Sequence, residues 1–294
     1  MPVSHVATGG RVRMTERLSD AHWAELKGIV AEAARAHILP RFRALGPDQI
    51  EAKAHAADLV TIADREAEAA ITRALRDRWP EALVIGEEAV SEGAVRTSGI
   101  DHPGRTFIID PVDGTWNFAK GVAVFGVILA LVENGLTTRG LLYDPLFDDW
   151  VEAGAGQGAW HRPPGRAPIR LEGRPGKGAP LSGFLPLNLL PHDRRGALAG
   201  AMSELGSFNS MKCSCHEYRM LALGHADYCL SGPVPNAWDH AAGALAVTEV
   251  GGVARMLDGR AYRAALTEGY LLTARSEAIW AEVAAPLQRV LSAA

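Results

Sequence analysis

Apolar positions change period several times along the chain, and each change marks a predicted element. Trp23, Leu26, Val30, Ala33 and Ile38 recur at helical spacing behind Asp20, a residue suited to capping, and predict a helix that ends near Pro40. A second amphipathic helix is predicted over residues 62–79, stopped by Pro80. Short β-rich runs at residues 83–85, 106–109 and 122–132 are each bounded by Gly, Asp or Pro. Residues 154–180 are crowded with Gly and Pro and read as turns around short strands such as 167–171, separating two halves. The second half alternates, with helices near 193–205, 216–223, 238–250 and 276–291 and strands at 227–230 and 270–273. Such alternation predicts a layered α/β fold. Residues 1–19 are polar and without period, so they read as a loose arm, with Met14 an alternative start.

Composition bounds this picture without changing it. A chain of 294 residues with 48% hydrophobic content can fill a substantial core. The 30 basic and 34 acidic residues nearly cancel, leaving a formal charge of -4 and no electrostatic support for binding nucleic acid or an anionic membrane. No apolar run approaches the roughly 18 residues of a membrane span, and the first residues lack a signal peptide's apolar stretch. A cytoplasmic protein is therefore expected. The three cysteines, Cys213, Cys215 and Cys229, are too few for a disulfide scaffold and fit a reducing compartment. Cys213-Ser214-Cys215-His216 also suggests a soft-metal site, but it lacks a second ligand pair at finger-like spacing, and buried structural cysteines are the expectation.

The chemistry concentrates where the strand at 107–109 breaks into Asp110-Pro111-Val112-Asp113-Gly114-Thr115-Trp116-Asn117-Phe118. Pro111 and Gly114 force a turn that aims two carboxylates at one point, and two such anions repel unless a cation sits between them. An ordinary turn uses the same residues. Three further acidic sites bear on the choice. Gly86-Glu87-Glu88 follows another short strand, although adjacent glutamates are also ordinary surface charge. Asp239, in Trp238-Asp239-His240-Ala241-Ala242-Gly243, opens a nearly uncharged helix, either as a plain cap or as a ligand at its positive end. Asp58-Leu59-Val60-Thr61-Ile62-Ala63-Asp64, with Glu68 one turn on, also reads as a helix start capped by Asp or Thr.

The ordered set DLVTxxD with a later acid, GEE, DPVDGTxNF and WDxAAG, between Lys53 and Gly252, resembles the inositol monophosphatase family of metal-dependent, lithium-sensitive phosphatases. The resemblance implies an α/β sandwich of alternating helical and sheet layers, the sugar-phosphatase fold. It would comprise an N-terminal α+β subdomain over residues 1–145, a C-terminal α/β subdomain over 146–294, the site between them, and a homodimer. It implies two or three Mg2+ ions. Glu88, Asp110 and the Val112 carbonyl would hold one, and Asp110 would bridge to a second held also by Asp113 and Asp239. Water activated by the metal would attack phosphorus, oriented and deprotonated by Thr115 and Asp64, with Glu87 or Glu88 sharing this through a third, weaker ion. Backbone amides of Gly114 and Thr115 would bind phosphate oxygens. Lys53 matches a lysine near the family's metals, although an exposed solubilising lysine is an equal reading.

Substrate choice is the open point of the resemblance. Members that prefer inositol phosphates usually carry a glutamate seven residues before the aspartate of the WD motif, and here that position is Gly232. Cys215-His216-Glu217-Tyr218-Arg219 replaces the small-residue stretch that often opens this helix, so His216, Glu217 or Arg219 would either touch a leaving group or form a polar helix start facing solvent. His240 reads as a satisfied packing histidine or as a partner of Asp239. The expected activity is hydrolysis of a small-molecule phosphate monoester, inositol 1-phosphate first, with histidinol phosphate and nucleotide or sugar bisphosphates as alternatives. A regulatory protein engaging RNA or the transcription machinery is the alternative of another class.

Overall fold

The first helix is capped by Ser19, whose hydroxyl accepts from the His22 amide at 3.3 Å, and not by Asp20. The computed structural model describes residues 17–53, 59–173 and 180–291. Most of the expected arm, the capping candidate Asp58 and residues 174–179 of the Gly- and Pro-rich stretch lie outside the described residues. Helix α1 (Asp20–Ala33) buries Trp23, Leu26 and Val30, then widens into a π turn at Ala34–Ile38 and tightens into a 3-10 turn at Leu39–Arg41. Pro40 has no amide proton to continue the ladder, which is why the regular helix gives way there. Helix α2 (Ile62–Arg78) is capped by Thr61 and stops at Trp79, the residue before Pro80.

Strands β1 (Ile50–Ala52) and β2 (Leu59–Thr61) form a small antiparallel pair leading into α2. Seven strands then build the main sheet in chain order. They are β3 (Leu83–Gly86), β4 (Arg105–Asp113), β5 (Gly126–Glu133), β6 (Leu136–Asp144), β7 (Asp149–Gly154), β8 (Gly158–Arg162) and β9 (Ile169–Arg170). Only β3 and β4 run parallel; the rest pair antiparallel. Three strands beyond residue 145 thus belong to the first sheet. Short helices α3 (Glu87–Ser91) and α4 (Thr115–Ala119) follow β3 and β4. The second sheet contains β10 (Leu181–Phe184), β11 (Gly206–Asn209), β12 (Tyr228–Leu230), β13 (Val253–Met256) and β14 (Leu271–Ala274), in the spatial order β11-β10-β12-β14-β13. Helices α5 (Arg195–Ser203), α6 (Ser214–Ala222), α7 (Ala237–Glu249) and α8 (Glu277–Leu291) complete the fold.

The period-2 alternation of β4 explains the layering. Phe107 and Ile109 pack with Leu129, Leu131 and Leu141 under α1 and α2, whereas Ile108 joins Ile128, Ala130 and Leu142 under α6 and α7. All nine residues of β4 are buried, as expected of a strand covered on both faces. On the far side of α6 and α7 lies the second sheet, whose outer face packs Tyr228, Leu230 and Leu272 against Leu198 of α5 and Trp280, Val283 and Leu287 of α8. The result is five alternating layers, helix, sheet, helix, sheet, helix, which is the predicted sandwich.

The central helical layer is tight because its residues are small. Helix α7 buries Ala241, Ala242, Gly243, Ala244 and Ala246 between the two sheets. A Cβ at Gly140 of β6 would lie 2.8 Å from the Ala242 carbonyl oxygen, and one at Gly243 would lie 2.1 Å from the ring of Tyr218 on α6. Every side chain larger than hydrogen at Gly243 therefore pushes α6 and α7 apart. Gly243→Ala is expected to destabilise the protein by about 1–3 kcal/mol through overpacking, lowering Tm by several degrees. Thermal unfolding followed by circular dichroism checks this, and an unchanged Tm would contradict the packing described.

Candidate active site

A bulge at the end of β4 creates the site. Asp110 pairs with Ile128 and Asp113 with Gly126, so Pro111 and Val112 together face the single residue Val127. Pro111 cannot donate to the ladder, which permits the extra residue. In a regular strand, side chains three apart point to opposite faces. The inserted residue reverses that, and oxygens of Asp110, Asp113 and Asp239 lie within 4.8 Å of one another. Asp110 Oδ1 accepts from the Val112 amide at 3.1 Å, which holds the turn. Gly114 then adopts φ 88°, and a Cβ there would approach the Val124 carbonyl to 2.9 Å, so glycine is required where the chain bends into α4.

The other two aspartates sit at helix starts. Asp113 Oδ2 accepts from the Cys215 amide and from Cys213 Sγ at 3.0 Å, so it caps α6 from a hundred residues away. One of its oxygens is thereby committed to the protein. Asp239 lies in the first turn of α7, but it is not the N-cap: that position is Asn236, whose side chain donates to Asp239 Oδ2 at 3.2 Å. A carboxylate in the first turn gains from the helix's positive end.

Asp64 is fixed by the start of α2. Its Oδ2 accepts from both the amide and the hydroxyl of Thr61, a capping box. Its Oδ1 lies 3.0 Å from Thr115 Oγ1, which is also 3.0 Å from the Val112 carbonyl oxygen. The single hydroxyl proton of Thr115 has two acceptors to choose between. Burial pushes the Asp64 carboxyl up to about 6, against the opposing bonds from Thr61.

Glu88 stands apart from the three clustered aspartates. Lys53 Nζ donates to Glu88 at 2.8 Å and to Glu87 at 2.9 Å, so this lysine is half-buried counter-charge and not a solubilising one. Burial opposes the charge of Lys53, but Glu87 and Glu88 outweigh it and raise its pKa. The Glu88 carboxyl rises to about 8, through burial first and the neighbouring Glu87 second. Glu68 supports both: its carboxylate accepts from the Glu88 and Ala89 amides at 2.8 Å each and caps α3. A Cβ at Gly86 would collide with that carboxylate at 2.1 Å, which explains the glycine of the GEE run.

Burial and mutual repulsion set the electrostatics of the cluster. Burial, reinforced by Glu87 and by mutual repulsion, pushes Asp110 and Asp239 well above the usual carboxylate range, and Asp113 up to about 6. Buried carboxylates at this spacing are stable as anions only with compensating positive charge. An all-oxygen donor set suits a hard divalent cation. The sulfurs do not compete. All three cysteines are buried and unpaired, burial raises their thiols well above ordinary values, and the Cys213-Cys215-His216 run forms no metal-ligand group among the described residues.

A cleft of about 270 Å³ opens over this floor; Glu87, Asp113, Gly114, Thr115 and Asp239 line it, as do Leu189, Lys212, Ser231, Gly232, Asn236 and His240. His216 and Arg219 are not part of its lining and do not form a solvent-facing helix start. His216 Nε2 bonds the Phe125 carbonyl at 3.0 Å, and Arg219 is buried against the Leu142 and Asp149 carbonyls at 3.0 and 3.1 Å and the Asp149 carboxylate. Packing of α6 against β6 draws them inward. Glu217 does line the cleft, yet its Oε1 is bonded by the Met211 amide at 2.8 Å and Ser210 Oγ at 3.2 Å. His240 is buried, held to about 4 by that burial, with Nδ1 3.0 Å from the Tyr218 hydroxyl, so the packing reading describes it. Sequence reasoning passed over Trp116, Asn117 and Lys212. The first two lie inside the DPVDGTxNF run and were within reach; Lys212 has no motif to announce it.

Five alternating layers with a carboxylate-lined centre at a strand end define a phosphomonoesterase of the metal-dependent class. The chain belongs to the inositol monophosphatase family, whose model matches residues 22–292, and is a phosphatase that hydrolyses phosphate monoesters. It is 28% identical over 219 residues to the inositol-1-monophosphatase of Bacillus subtilis, covering 72% of this chain and 78% of that one. It is 30% identical over 227 residues to the Nus factor SuhB of Pasteurella multocida, covering 74% and 78%. The Thermotoga maritima IMPase has a similar fold, with TM-score 0.76 at 23% identity over 92% of this chain and 98% of that one.

The cluster makes a prediction that needs no activity measurement. Asp110→Asn removes one buried charge from a repelling group, so in chelator its Tm should match or exceed that of the unaltered chain. Added divalent cation should raise the Tm of the unaltered chain and not that of the variant. Equal cation-induced shifts in both proteins would remove Asp110 from the metal centre.

Proposed function

We propose that the chain hydrolyses a small-molecule phosphate monoester in a Mg2+-dependent reaction, with inositol 1-phosphate the first substrate to test. What supports this most is the convergence of Asp110, Asp113 and Asp239 beside the Asp64–Thr115 pair at the floor of one cleft. Glu88, Asp110, the Val112 carbonyl, Asp113 and Asp239 would hold two Mg2+ ions, and Glu87 or Glu88 would share a third, weaker one. Bound magnesium supplies Lewis-acid charge that neutralises phosphate oxygens and makes water a better nucleophile. The chain's own residues do the rest. Amides of the Gly114 turn, with Thr115, receive the phosphate oxygens. Thr115 Oγ1 orients the attacking water and passes its proton to Asp64 Oδ1, which Thr61 holds from behind. Lys53 donates to both Glu87 and Glu88 and supplies positive charge beside this centre.

The subdomains proposed over residues 1–145 and 146–294 would each contribute residues to the cleft lining. Three unpaired thiols favour a reducing, cytoplasmic setting, no helix among the described residues is long and apolar enough to cross a membrane, and a homodimer is proposed by family resemblance. The wall favours a second reading of substrate. Position 232 is a glycine, so the family's inositol-binding glutamate has no counterpart here, and a Cβ at that position would stand 3.3 Å from the exposed Leu189 side chain. Histidinol phosphate and nucleotide or sugar bisphosphates fit the same floor with a different wall. Similarity to a Nus factor leaves a regulatory role with RNA or the transcription machinery as the alternative of another class.

Phosphate release from inositol, histidinol, nucleotide and sugar phosphates, with Mg2+ and with chelator, tests the proposal. Metal-dependent release from at least one is expected, and release from none would sink it. Thr115→Val should lower kcat by about a hundredfold or more with a smaller change in KM.

A further inference from the structure

The cleft is acidic at its floor, and among the described residues that line it the only Lys or Arg is Lys212. This lysine is placed with unusual care. Its backbone sits at φ 51°, a left-handed conformation that a residue with a Cβ seldom adopts unless its surroundings over-determine it. They do. Asn117, buried, donates its Nδ2 protons to the Met211 carbonyl at 2.8 Å and the Val124 carbonyl at 2.8 Å. Glu217, also buried, accepts from the Met211 amide and from Ser210 Oγ, and that same hydroxyl accepts from the Lys212 amide at 3.1 Å. The Lys212 carbonyl oxygen backs directly onto Gly114, 3.3 Å from where a Cβ would stand.

The side chain is directed as firmly as the backbone. Lys212 Nζ lies 3.8 Å from the centre of the Trp116 ring, a cation-π contact one residue beyond Thr115. An ammonium on an aromatic face keeps its protons for other acceptors, and no carboxylate pairs with Lys212 among the described residues. Glu217 is occupied in holding the loop, and position 232 of the lining carries no acid. Beside the acids of its floor, the cleft lining therefore offers one oriented cation. A phosphoryl group on the floor draws its compensation from the metal centre, so an uncharged alcohol leaves this cation unused.

We infer that Lys212 is a specificity-determining residue that selects phosphate monoesters whose alcohol carries a second anionic group, a carboxylate or a further phosphate. The inference rests on the phosphomonoesterase reading and deepens it by naming the substrate class. Matched pairs test it: glycerol 3-phosphate against 3-phosphoglycerate in turnover, and propylphosphonate against 3-phosphonopropionate in binding calorimetry. The unaltered chain should favour the carboxylate member of each pair. Lys212→Asn removes the charge with a residue suited to left-handed backbone. It should raise KM for 3-phosphoglycerate about tenfold, the scale of one hydrogen bond to a charged group, with kcat and the glycerol 3-phosphate KM within about twofold. Lys212→Arg should restore most of the preference. Absence of a preference in the unaltered chain, or an equal KM rise for both substrates in Lys212→Asn, overturns the inference while leaving the phosphatase reading intact. If neither ester is hydrolysed, calorimetry decides: a carboxylate preference lost in Lys212→Asn supports the role of Lys212, and equal binding of the two phosphonates overturns it.

Discussion

One extra residue in β4 is the constraint on which the site depends. Without the Pro111–Val112 bulge, Asp110 and Asp113 would point to opposite faces of the main sheet, one toward α2 and the other toward α6. With it, both turn toward the same end of the central helical layer, where Asp239 already waits in the first turn of α7. The repulsion this creates is considerable, since each aspartate is driven above its ordinary pKa by burial and by its neighbours. A fold would not retain such a grouping for packing alone. A divalent cation turns the same arrangement from a cost into a binding energy.

The sandwich exists to bring that constraint to the right place. Helices α6 and α7 lie between two sheets, and the small residues on α7 together with Gly140 of β6 let the layers close to backbone contact. Because α6 is that close, its first amides can reach Asp113, and the cap they form ties the second half of the chain to the bulge in the first. Asp64 is tied in the same manner, through the capping box of α2 and the Thr115 hydroxyl. Three helix starts thus converge on one point: α2 and α7 bring Asp64 and Asp239 in their own first turns, and α6 is capped by Asp113 from β4.

Much of this was legible before the coordinates. Helices α2, α7 and α8 fall within about two residues of where apolar spacing and prolines put them, and the four acidic motifs name the residues that meet. Strands β1, β2, β6, β7, β10, β11 and β13 were not anticipated. Their side chains are mixed in polarity, and the Asn134-Gly135 turn that joins β5 to β6, both residues at positive φ, is a hairpin signal inside a stretch read only as far as residue 132. β5 itself begins at Gly126 and not at 122, because the Val122 amide is spent on the Asn117 carbonyl before pairing can start. His216 and Arg219 were misread for a different reason. Their charge suggests a surface, but their position on α6 faces β6, and a long polar side chain enters a protein when backbone carbonyls are there to meet it.

Floor and wall of the cleft follow different logic, which is why family resemblance reaches one and not the other. The floor must satisfy the geometry of phosphoryl transfer, so its acids are dictated by metal and phosphate and recur wherever that chemistry does. The wall meets only the alcohol, and each of its positions can change without disturbing the floor. In this chain Gly232 leaves that position of the wall without a carboxylate, and the loop at Ser210–Cys213 adds an ammonium to the lining, held by buried Asn117 and Glu217. Both features move the wall toward positive charge, and they arise on separate segments. A lone surface lysine would not require a strained backbone, a buried asparagine and a buried glutamate to hold it. The expense of that support is the reason to read the cation at position 212 as addressed to the substrate and not to the solvent.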